Sequence, residues 1–179
     1  KLIETFYFDT QKENPLLLFH YKRIKNSALY FGFKIPYCLK SYEEFKRFVK
    51  NKAFGLKSGI YKIRLLISPD GGVEIIFSEY QPWRENLRVG LVKRDFDLGV
   101  LFHHKTSFRK PYEYWQNKAK KLGFDEIIFY NENGVLLEGC ISNVFVDLGK
   151  GLITPPLELK ILNGVLREFL ISKKRQRKK

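Results

Sequence analysis

Two runs of β-branched and aliphatic residues, 60–67 and 73–77, flank Ser68-Pro69-Asp70-Gly71-Gly72, and this pairing constrains the fold more than any other feature of the chain. Pro and Asp favour a tight turn, and glycine accepts the positive φ that such turns need. The two runs are therefore predicted to close as a β-hairpin. Upstream, 2–8 is β-prone and aromatic and ends at a polar stretch, 9–14, before Pro15, which predicts a strand followed by a loop. From His20 onward, Ile24, Ala28 and Phe31 recur at spacings of four and three, with Lys22, Arg23, Lys25 and Asn26 between them. That pattern predicts an amphipathic helix, stopped by Gly32. Ser41 with Glu44 three residues later is a capping-box pattern and opens a second helix through Phe45, Phe48 and Val49.

The second half is more regular. After a Pro82/Trp83 loop and an extended stretch at 91–92, the segment 95–104 is expected to connect two lobes. Tyr112, Trp115, Ala119 and Leu122 share one helical face, ended by Gly123. Strands are predicted at 127–130 and 135–138 around Asn131-Glu132-Asn133-Gly134, whose Asn-Gly pair is a strong hairpin signal. Another strand pair, 144–148 and 152–154, surrounds Gly149-Lys150-Gly151. Pro155-Pro156 breaks the sheet, and Gly164 precedes a helix over 165–171. The sum is an α+β chain in two lobes, a small N-terminal lobe over 1–99 and a C-terminal lobe over 100–172, with a basic tail over 173–179.

Composition narrows the functional classes. Hydrophobic residues make up 44% of the 179 and aromatics 16%, which describes a folding chain. No apolar run reaches the roughly 20 residues of a membrane span, and no signal-peptide pattern opens the sequence, so a soluble, cytoplasmic protein is expected. Cys38 and Cys140 fit neither a disulfide framework nor a zinc spacing, and no metal site is expected. The net charge of +14 invites a nucleic-acid reading, but six of the positive charges sit in the last seven residues and the remainder is spread along the chain. No recognition motif of a nucleic-acid module is present. A spread positive field also suits an anionic substrate or a phosphorylated cofactor. The chain contains no Met and begins at Lys1, which is expected of a processed product or of part of a longer one.

Three segments could carry chemistry. His103-His104-Lys105-Thr106-Ser107-Phe108-Arg109 places a lysine among cations, where a depressed pKa makes it a Schiff-base nucleophile; the plain alternative is a solvated loop lysine. Glu138 follows three apolar residues and is either a strand-end surface charge or a buried, partnered carboxylate. Asn163-Gly164-Val165-Leu166 opens the last helix, where backbone N–H groups form an anion site or an ordinary cap. Arg23 could lend a charged fork to the same anion, or be one more exposed arginine.

Taken in order, these segments resemble the class IV aminotransferases, the fold type IV enzymes of pyridoxal 5'-phosphate (PLP). Leu2-Ile3-Glu4-Thr5-Phe6 and His20-Tyr21-Lys22-Arg23-Ile24 are similar to the family's first strand and phosphate-arginine helix. His104-Lys105-Thr106-Ser107-Phe108-Arg109 resembles its Schiff-base segment in the form common among aminodeoxychorismate lyases. Gly123-Phe124-Asp125-Glu126, Asn133-Gly134-Val135, Glu138, Ser142-Asn143-Val144-Phe145, Thr154-Pro155-Pro156 and Asn163-Gly164-Val165-Leu166-Arg167 follow in family order. The resemblance covers nearly the whole chain and is densest from Lys105 to Arg167.

That resemblance implies the two-lobed architecture of the D-amino acid and branched-chain aminotransferases, with a 100–172 lobe that other members continue with further strands. It implies that Lys105 carries PLP and then moves protons, and that Glu138 pairs with the pyridine nitrogen. Arg23, Gly164, Val165 and Leu166 would bind the phosphate, Arg109 would lie near the ring or its phenolic oxygen, and Asn143 joins the cofactor-binding set. Pyruvate release from aminodeoxychorismate, giving 4-aminobenzoate for folate biosynthesis, is the implied reaction. Asn163, where transaminases of the family often carry Pro, favours that branch. The alternatives are a branched-chain or D-amino acid transaminase on the same scaffold, a cofactor-free partner protein, and a basic nucleic-acid-binding module. The family also implies a homodimer and permits a synthase partner or fusion.

Overall fold

The computed structural model describes residues 1–82, 85–149 and 151–176. Trp83 of the expected Pro82/Trp83 loop, Lys150 of the expected glycine turn, and Arg177, Lys178 and Lys179 of the expected tail lie outside the described residues. By its contacts the chain divides into two units, one of Lys1–Pro82, Lys105–Ser107 and Glu168–Lys179, the other of Trp83–His104 and Phe108–Arg167.

In the first unit, β1 (Leu2–Asp9), β2 (Ile60–Ile67) and β3 (Val73–Glu79) form an antiparallel sheet in that order. The hairpin closes as its turn chemistry demands: Gly71 adopts φ 85°, and the Ser68 N–H donates to the Gly72 carbonyl at 2.9 Å. Register places Leu2 opposite Ile67, Glu4 opposite Leu65 and Phe6 opposite Ile63, so these six side chains share one face. Helices α1 (Leu17–Tyr30) and α2 (Tyr42–Lys52) contribute Leu17, Tyr21, Ile24, Ala28, Phe45 and Val49 to the core built on that face. Helix α1 begins three residues before His20, because Asn14 Oδ1 accepts the Leu16 N–H at 2.8 Å and sets up the turn ahead of it. Ser41 caps α2 by accepting the Glu44 N–H at 3.2 Å, whereas the Glu44 carboxylate turns to Arg47 rather than completing the reciprocal bond. On the free edge of β1, the Ile3 N–H donates to the Lys105 carbonyl at 2.8 Å, and Thr106 forms an antiparallel bridge with Leu2.

In the second unit, β4 (Val89–Lys93) pairs parallel with β5 (Glu126–Tyr130), and β5 pairs antiparallel with β6 (Leu136–Gly139). The parallel crossover runs through α3 (Lys110–Lys121). Because β4 pairs with β5, the contacts of the chain from residue 83 onward group with this unit. The stretch 95–104 is likewise no bare connection: Phe96, Leu98 and Phe102 join Tyr112, Ile127, Phe129, Leu137 and Ile161 in this unit's core. Leu122 leaves the expected face of α3 and is exposed, since it caps the helix just before Gly123 turns to φ 75°. Strands β7 (Val146–Asp147) and β8 (Leu152–Ile153) form a short exposed pair. Helix α4 runs over Val165–Gln176, so the expected tail is helical as far as Gln176. Among the described residues no helix is long and apolar enough to cross a membrane.

Candidate functional site

Glu4 stands on the core face of β1 and is completely buried. An unpaired carboxylate there would be costly, and α1 supplies its partners one helical turn apart. Arg23 donates from Nε to Oε1 at 2.7 Å and from Nη2 to Oε2 at 2.6 Å, and His20 Nδ1 lies 2.7 Å from Oε2. Burial works to raise the Glu4 pKa, but the Arg23 charge and the hydrogen bonds from His20 and Arg23 prevail and pull it down to about 2. Arg23 is thus no loose surface arginine: Glu4 fixes the orientation of its guanidinium. A signal for this was present in the sequence, a carboxylate between Leu2 and Phe6 at a period of two, followed by His and Arg three residues apart. Lys105, half-buried, belongs to this same unit through its carbonyl bond to β1.

The second unit holds the other expected residues. Glu138 on β6 is 4% exposed. Tyr112 donates its hydroxyl to Oε1 at 2.7 Å, and the Leu162 N–H donates to Oε2 at 2.9 Å. Burial raises the Glu138 pKa, opposed by the Leu162 and Tyr112 bonds and by the charges of Arg94 and Arg109. An ionised carboxylate accepts about four hydrogen bonds, so these two donors leave it capacity for a ligand N–H. Glu138 also bridges to Asn143 across a turn in which the Gly139 N–H donates to the Ser142 carbonyl at 2.8 Å. That turn is organised by a second buried carboxylate, Glu126, which accepts the Cys140 N–H at 3.1 Å, the Ile141 N–H at 3.3 Å and the Ser142 hydroxyl at 3.2 Å. Sequence reasoning assigned roles to neither Tyr112 nor Glu126. The helical spacing of Tyr112 marks it as core, and it is core, with its polar tip in use.

Asn143 donates from Nδ2 to the Leu162 carbonyl at 2.9 Å, and its Oδ1 lies against Gly164, only 1.8 Å from where a Cβ would stand. Glycine is therefore required at 164 by close approach, just before the first N–H groups of α4 at Val165 and Leu166. Arg167, on the first turn of α4, is buried and donates to Asn163 Oδ1 at 3.0 Å and to the Pro155 carbonyl at 2.9 Å, tying the preceding loop to the helix. Its Nε and the Thr154 hydroxyl are buried without a hydrogen-bond partner among the described residues. Arg109 donates to the Cys140 carbonyl, and its guanidinium lies 4.9 Å from the centre of the Tyr112 ring. At the chain position before Lys105, burial lowers the His104 pKa, aided by the charge of His103.

Comparison with known proteins gives this constellation a family. A model described as amino-transferase class IV matches residues 1–179. The chain belongs to the class IV aminotransferases. Enzymes of this family have the fold type IV architecture and use PLP. The chain is 32% identical over 157 residues to a protein of Thermotoga maritima named "Probable branched-chain-amino-acid aminotransferase", a match covering 85% of this chain and 55% of that protein. It is 45% identical over 71 residues to the aminodeoxychorismate lyase of Bacillus subtilis, covering 36% of this chain and 24% of that one. Among solved structures, a branched-chain aminotransferase from Thermoproteus uzoniensis with norvaline superposes with a TM-score of 0.76 at 25% identity, covering 98% of this chain and 65% of that one. The chain thus spans little more than half the length of the first of these relatives, and the match to the second spans about a quarter of it. Taken unit by unit, the residues present fit the group that the family uses: the first holds a half-buried lysine amine and an arginine anchored by Glu4, and the second a helix start preceded by Gly164 and a buried carboxylate with spare acceptor capacity.

Proposed function

We propose that the protein is a PLP-dependent aminodeoxychorismate lyase, which releases pyruvate from its substrate to give 4-aminobenzoate. The observation that carries the reading is Glu138, a carboxylate buried on β6 among neutral donors with capacity left for a protonated ring nitrogen. Arg109 four residues after Lys105, and the 45% identity to the Bacillus subtilis lyase, support the lyase branch. In this reading Lys105 Nζ anchors the cofactor and, once displaced, moves protons as a general base. Arg23, held by Glu4, and the N–H groups from Gly164 to Leu166 bind the phosphate. Asn143 bonds the Leu162 carbonyl and packs against Gly164, which supports the turn that leads into those N–H groups. PLP, when bound, supplies the electron sink for bond cleavage. The positive field of the chain favours capture of a dianionic substrate. A homodimer, and a synthase that delivers the substrate, belong to the same reading.

The match to the Thermotoga maritima protein over most of the chain favours a second reading, a branched-chain transaminase using the same residues with a 2-oxo acid as acceptor. The test is to load the protein with PLP, record its visible spectrum, reduce it with borohydride and map the labelled peptide. A yellow protein labelled on Lys105, forming pyruvate and 4-aminobenzoate in equal amounts, is the expected result. Amino transfer from a branched-chain amino acid with no aromatic product would select the transaminase. A colourless, unlabelled protein would remove both.

A further inference from the structure

We infer that Tyr112 is a positioning residue for the cofactor ring, acting through Glu138 by holding that carboxylate oriented toward the ring nitrogen. The inference rests on the PLP reading above. Tyr112 reaches Glu138 from the first turn of α3, and its ring is seated in the core with Phe96 at 5.2 Å and Phe129 at 6.0 Å, both edge-on. The hydroxyl therefore has a fixed origin, and it meets Oε1 at 2.7 Å, the length of a charge-assisted bond. The other donor to this carboxylate among the described residues is a backbone group, the Leu162 N–H on Oε2. Each oxygen is thus held by one donor from a different direction, which fixes the carboxylate plane.

Two further contacts explain why a tyrosine suits this place. The Arg109 guanidinium lies over the Tyr112 ring and is held there by the Cys140 carbonyl, so a positive charge backs the phenol without touching Glu138 directly. Arg94 sits over Phe102 in the same aromatic cluster, its guanidinium fixed by the Lys160 and Leu159 carbonyls. The charges of both arginines work toward the ionised carboxylate, and Tyr112 is a side chain that donates to it directly. An ionised carboxylate held in this orientation would stabilise a protonated ring nitrogen.

The test compares Y112F with the parent protein, using PLP and a carbocyclic analogue in which the ring nitrogen is replaced by CH. Phenylalanine retains the ring packing and loses only the hydroxyl. For PLP, the dissociation constant is expected to rise about tenfold in Y112F, the worth of one hydrogen bond to a buried charge. For the carbocyclic analogue the two proteins should bind alike, and in an E138Q background the Y112F effect on PLP should vanish. Borohydride labelling of Lys105 by PLP should persist in Y112F at saturating cofactor. Equal losses for both aldehydes, or no loss for either, would overturn the positioning role. So would persistence of the effect in E138Q. A parent protein that labels with neither aldehyde on Lys105 would instead remove the PLP reading, and the inference with it.

Discussion

Glu4 and Glu138 are both buried glutamates on strands, one in each unit, and their surroundings drive them in opposite directions. Glu4 faces a bidentate guanidinium and a histidine, and its pKa falls to about 2. Glu138 is touched by a phenol and a backbone N–H, with its arginines at a remove, and burial pushes its pKa up. Desolvation is the first cause in both; what differs is whether a full charge makes contact. The contrast matches two tasks. A carboxylate that only has to hold an arginine is best permanently ionised; in the proposed reading Glu138 faces a ring nitrogen instead, and is kept clear of a full positive charge.

Several experiments would break or sharpen this contrast. Removing the Arg23 charge as Arg23→Met strands Glu4 in the core and is expected to cost about 3–5 kcal/mol, read by urea unfolding at neutral pH. Next in size is the pH dependence. Because the Glu4 pKa is lowered, its contribution is present above the unfolded value of 4.5 and is lost as the pH falls toward about 2. The stability advantage of the parent over E4Q should therefore shrink by about 3 kcal/mol across that window. An advantage that stays constant would show that Glu4 is not ionised by Arg23.

Gly164→Ala probes the second unit, where backbone proximity does the work that charge does in the first. The Asn143 side chain must move, and a loss of about 1–3 kcal/mol is expected in the same unfolding assay. As a local reference in the first unit, Ser41→Ala removes one cap and should cost about 1 kcal/mol. The smallest effect carries the sharpest sign. A raised pKa means that Glu138 contributes fully below 4.5 and loses that contribution as the pH rises through its folded value. E138Q should accordingly gain stability relative to the parent as the pH is raised from 4 to 7, opposite in direction to E4Q. Equal slopes for the two variants would erase the contrast.

Local chemistry was legible along most of the chain. The turn residues 68–72, the Ser41 cap, and the glycines at 32 and 123 determined where hairpin and helices begin or end, because each acts through its own backbone and near neighbours. The membership of the family was likewise readable, from the order of the segments around Lys105, Glu138 and 163–167. Partners distant in sequence were not. That Phe96 and Phe102 belong to a core rather than to a connection follows from β4 choosing β5 across a crossover of more than thirty residues. The pattern around Glu4, His20 and Arg23 hints at a buried ion pair, but which groups meet, and that a helix-face tyrosine holds Glu138, depends on register and helix placement. Sequence determined the elements and the chemistry they carry, through interactions a few residues long. Only tertiary structure decided which buried carboxylate meets a charge and which meets a neutral donor, and that choice sets their opposite pKa shifts.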